Sequence, residues 1–131
     1  MTPDSPRVVP PLYAERLAKA FAAFVDAVRA AIDENVANPV IANAPAFLAW
    51  QTQALPMLEQ ENATVQNAHA RFLIGEERTI VAVAADERHL AKKLDGFAMD
   101  FAGAEGAKLL DRLETGIVIA ASQICQAAGV P

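Results

Sequence analysis

The chain has 131 residues, 53% of them hydrophobic and 6% aromatic, with a formal net charge of -5. That supply of apolar side chains suits one domain with its own core and excludes wholesale disorder. The 11 Lys and Arg are scattered along the chain, so no basic face is available to displace counterions from phosphates, and nucleic acid is not an expected partner.

Residues 1–11 contain four prolines and little periodicity and read as a flexible Pro-rich tail. The opening MTPDSPRVVPP lacks a basic start followed by an apolar run, so it is not a signal peptide. The longest apolar runs, IVAVAA and IVIAA, are too short to form a transmembrane segment, and a cytoplasmic location is expected. Residues 12–131 read as a single all-α domain, because much of the apolar content is alanine, the best helix former.

Helix 1 is predicted from Leu12 to Ala37, with Leu17, Phe21, Phe24, Val28 and Ile32 repeating at spacings of three and four. The stretch NVANPVIANAP breaks it, and Asn43 is the expected N-cap of the next helix, with Pro45 in its first turn. Helix 2 is predicted from Ala44 to Ile74, with Pro56 imposing a kink near Thr52 to Leu55 or dividing it into a short helix, Ala46 to Ala54, and a longer one. Gly75 is the expected stop, although an unbroken helix through it would cost only about 1 kcal/mol.

Helix 3 is predicted over Glu77 to Asp95, on the series Ile80, Val83, Glu87, Leu90, Leu94, with Phe97 and Phe101 continuing the spacing. Helix 4 is predicted from Ala104 to Ala128, with Leu110, Leu113, Ile117, Ala120, Ile124 and Cys125 inward, and Gly129 ending it. Four such segments with short connections describe an antiparallel up-down helical bundle.

Polar residues interrupt two of the stripes. In LEQENATVQNAHARFL, Asn62 and His69 occupy positions where a core would normally take leucine. Counting from a turn at Gly75, Asn62 lies 13 residues before it and Glu87 lies 12 after it. Both therefore sit roughly 18–20 Å from the hairpin end, so Asn62 and Glu87 are expected to meet as a polar layer that fixes register. Asn62, His69 and Glu87 are also the candidate ligand-binding residues of a small-molecule site. Glu61 shares the layer and His89 lies close to it, but the paired Glu-x-x-His pattern of di-metal bundles is missing. Gln66 and Asp86 stand three residues before His69 and His89. No metal and no cofactor is expected.

No phosphate-cradling loop, C-x-x-C, H-E-x-x-H or G-x-S-x-G motif occurs, and no catalysis is expected. The single cysteine, Cys125, has no partner for an internal disulfide and reads as a small core residue. Helices 3 and 4 carry more apolar surface than one stripe requires. Ile80, Val81, Val83, Ile117, Val118 and Ile119 spread around more than one face, and these six are the expected self-interface of a homo-oligomer, most simply a dimer. The expected function is a non-catalytic interaction or scaffold protein that self-associates, with a ligand- or metal-binding bundle as the alternative.

Overall fold

Helix follows helix through residues 8–97 and 99–131, the part of the chain described by a computed structural model, and no strand occurs among them. Helix α1, Pro11–Asn35, starts with a proline whose fixed φ suits the first helical turn. It buries Leu17, Phe21, Phe24, Val28 and Ile32, the stripe read from the sequence, together with Ala14, Ala18 and Val25. Just ahead of it Val9 is fully buried, and its N–H donates to Glu77 Oε1 at 2.6 Å. The rest of the expected tail, residues 1–7, lies outside the described residues.

The connection after α1 holds a short helix α2, Pro39–Ala42, capped by Asn38, whose side chain accepts the Val40 N–H at 3.1 Å. Asn43 is expected as the N-cap of the next helix but does not cap it. Asn43 ends α2, its Nδ2 donating to the Pro39 carbonyl at 2.8 Å, and Ala44 precedes α3, Pro45–Ala49, without any side-chain cap.

Ahead of Pro56, where a kink is expected, the helix widens into a π-helical turn, Trp50–Ala54, between α3 and α4, Leu55–Leu73. Proline has no N–H to give and its ring crowds the carbonyl one turn back. The wider turn accommodates both, with the Leu55 N–H reaching back to the Trp50 carbonyl. Helix α4 then ends at Gly75, as expected. Gly75 has φ +97°, its N–H bonds to the Phe72 carbonyl, and the Glu76 N–H bonds to the Arg71 carbonyl, which is the Schellman closure.

The predicted helix 3 is divided. Helix α5, Glu77–Glu87, is followed by a tight turn at Arg88 and His89 and a single-turn helix α6, Leu90–Lys93. A 3-10 turn, Asp100–Ala102, leads into α7, Gly103–Ala128, which closes at Gly129 in the left-handed region.

Helix α1 packs against α4 and α7, and α5 packs against the same two, so the four long helices form a closed ring with α1 diagonal to α5. Phe21, Phe24, Leu58, Ile80, Leu90, Ile117 and Ile124 fill its centre. Cys125 is buried there as a free thiol. Aromatic pairs brace the end formed by the connecting segments. Phe47 meets Phe101 edge-on at 5.0 Å, and Trp50 meets Phe97 at 5.8 Å.

Candidate functional site

Charge enters the core where α4, the end of α5 and α6 converge. Glu87 is the one buried charged residue among those described, 1% exposed. Lys93 Nζ donates to Glu87 Oε1 at 3.2 Å and to Glu61 Oε2 at 3.1 Å. On a continuous helix, residues six apart lie about 120° round the axis and about 9 Å along it, so their side chains diverge. The turn at Arg88 and His89 is what lets Lys93 curl back to Glu87. The break in helix 3 and this ion cluster are thus two aspects of one arrangement.

Burial, followed by the adjoining Glu61 carboxylate, pushes the Glu87 carboxyl up to about 8, against the pull of Lys93. Glu61 is held below its ordinary range, first because it accepts the Glu87 proton and then because of Lys93. Burial disfavours the charge on Lys93, but the two glutamates outweigh it and hold the ammonium above its usual value. The cluster at neutral pH is therefore one shared carboxyl proton, one negative charge and one ammonium. Such a group can hold and release a proton, and Glu87 Oε2 is buried without a hydrogen-bond partner among the described residues.

The expected meeting of Asn62 and Glu87 is replaced by that of Glu61 and Glu87. Asn62 accepts from its helical neighbour Gln66 at 3.0 Å, and the same Gln66 amide donates to the Ala18 carbonyl of α1 at 2.8 Å. Asn62 thus belongs to the α1–α4 seam. His69 lies on that seam too, half-buried, lining an open groove of about 500 Å³ with Glu15, Lys19, Gln66 and Leu73. The three candidate ligand residues are not brought into one site.

Of the six residues expected at a self-interface, Ile80 and Ile117 are fully buried in the chain's own core and Val83 is nearly so. Val81 and Val118 are half-buried, and Ile119 is exposed. A second cavity lies beside the Trp50–Phe97 pair. It measures about 350 Å³, and its walls include Phe24, Trp50, Leu94, Phe97, Met99 and Leu110, with Asp100, Asp111 and Glu114 around it. The spacing of Asp111 and Glu114, one helical turn apart on α7, was the available signal, but Trp50 and Phe97 are brought there only by the irregular segments. Among the described residues no group of three or more His, Cys, Asp or Glu side chains is placed to hold a metal ion, and no helix is long and apolar enough to cross a membrane. Comparison with protein-family models, with curated proteins and with solved structures finds no match for the chain.

Proposed function

We propose that the protein is an interaction module that self-associates through the corner where α4 turns into α5. The supporting observation is the exposure of large apolar side chains there. Leu73, the last residue of α4, is 67% exposed, and Ile74, which follows it, is 83% exposed. Val8 and Leu73 border one shallow depression with Phe72, Pro11 and Gly75. Val8 is itself exposed, as is Leu12 in the first turn of α1. Single exposed leucines are ordinary, but adjoining ones on a rigid turn form the kind of patch that marks contact surfaces.

The Schellman closure at Gly75 and the bond from Val9 to Glu77 fix the backbone on both sides of this patch. Little conformational entropy is then lost on docking. A two-fold pairing of the corner places the same residues from both copies against each other. Ile119 offers a further exposed apolar contact on α7, the remnant of the broader surface suggested by the sequence.

Sedimentation velocity across the micromolar range tests the proposal. The wild-type chain is expected to be dimeric, and Ile74→Lys should weaken the dimer by about tenfold or more. Because Ile74 is so exposed, the same change should move monomer stability by no more than about 0.5 kcal/mol. A monomer at every concentration, or unaltered assembly of Ile74→Lys, would overturn the reading.

A further inference from the structure

The chain enters α1 through a short strap that is seated on a distant part of the sequence. Val8, Val9 and Pro10 are not helical, yet Val9 is fully buried. Its N–H donates to Glu77 Oε1 at 2.6 Å, 68 residues further along the chain. The seat is the depression at the start of α5, where Phe72, Leu73, Gly75 and Glu77 surround Val8 and Val9. Val9 points in, Val8 is exposed, and a backbone N–H is bonded between them and the corner. Main-chain bonding plus a pocket for alternate side chains is how a groove holds an extended peptide. The strap is thus bound to the corner as a peptide ligand is bound, although it belongs to the same chain.

The link to α1 keeps the strap in shape when it leaves its seat. A residue that precedes proline is confined to extended backbone, and both Val9 and Pro10 precede one. Pro10 accordingly has φ -58° and ψ 134°. The strap therefore loses little conformational freedom on docking to any matching groove. The swing that carries it elsewhere falls to the first turn of α1, and helix ends open readily.

Two observations direct the strap to a second copy. Its contacts join residues far apart in sequence, so the same groove on another copy offers the same seat. Exchange of an identical element is a low-cost route to a dimer. In a single chain, moreover, the seat is filled while Val8, Leu73 and Ile74 beside it stay exposed. We propose that the two copies of a dimer exchange straps, each Val9 entering the depression of the other copy and bonding to its Glu77. This rests on the α4–α5 corner as the self-association face and names how that face is joined. Nothing is lost at the seat, because the same side chain and the same N–H are satisfied across the pair. The gain over a single chain is the apolar patch that the crossing covers. An unrelated apolar protein could cover the patch only with both straps left in place.

The test is complementation between two variants of the 131-residue chain. Val9→Asp spoils the strap and keeps the groove, whereas Glu77→Ala spoils the groove and keeps the strap. In sedimentation velocity each alone should dimerise about tenfold or more weakly than the wild type. Their equimolar mixture should dimerise about tenfold more tightly than either alone, because one intact strap meets one intact groove in the mixed pair. With straps seated in their own chains, mixing restores nothing. A mixture no tighter than its components overturns the exchange, as does either variant assembling like the wild type. Circular dichroism should find both variants helical, since the strap is not itself helical. If Val9→Asp loses helix, Val9→Ser takes its place with the same expectation. A wild-type dimer that Ile74→Lys disrupts but mixing does not rescue removes the exchange and leaves the corner standing. A monomer at every concentration removes both.

Discussion

Glu87 shows how far a single position can depart from what its spacing suggests. It keeps its place in the apolar series of helix 3 as a largely neutral acid, with its proton leaning on Glu61 and its other oxygen on Lys93. Because its folded acidity lies near 8 and its ordinary value near 4.5, the folded state binds more proton than the unfolded one between those limits. This contribution is fully present at and below the ordinary carboxyl range and is lost as pH rises toward 8. Glu61 is shifted the other way, so its contribution is present above its ordinary value and lost on acidification. Melting temperature should therefore peak at about pH 5 and fall toward pH 9. Glu87→Gln should flatten the alkaline side, and an identical slope in the variant would assign the decline elsewhere. Asn62→Leu should change stability by no more than about 1 kcal/mol in urea unfolding, since Gln66 keeps its bond to the Ala18 carbonyl. The level of the polar layer was legible from counting residues along the helices. Which residue faces inward was not. Glu61 and Asn62 differ by one position, which is about 100° of rotation, and the Pro56 turn upstream resets the phase by an amount no count supplies.

At the scale of elements, legibility followed the strength of local chemistry. Stripes of branched and aromatic residues identified α1 and α7 closely, and Gly75 and Gly129 mark the ends of α4 and α7 where the sequence put them. The break between α5 and α6 left no comparable trace, for DERHLAKK holds neither glycine nor proline. It is a tertiary feature, tied to the reach of Lys93. The π-helical turn was visible only as a kink, because a proline announces that a helix must deform without saying how. Gly75 permits a direct test. At φ +97° a Cβ would meet nothing within 4 Å, so Gly75→Ala introduces backbone strain without a clash. It should cost about 1–2 kcal/mol in urea unfolding while leaving the helical content intact. No measurable loss would mean that the turn can relax to a negative φ.

Across the whole molecule, the ring α1–α4–α5–α7 accounts for most of the apolar surplus that sequence patterning assigned to a partner. Ile80 and Ile117 look redundant on a helical wheel, yet each is covered on several sides once α5 and α7 pack together. Exposed hydrophobicity concentrates instead at turns and helix ends, where periodicity says least. The burial of Cys125 has a practical corollary. It lies on the core-facing side of α7, 1% exposed, and is the only thiol in the chain. A maleimide or disulfide reagent can reach it only when α7 separates from the ring, so the labelling rate in native buffer times the opening of the bundle. Anything that clamps the ring shut, a second copy included, becomes readable as slower alkylation of one atom.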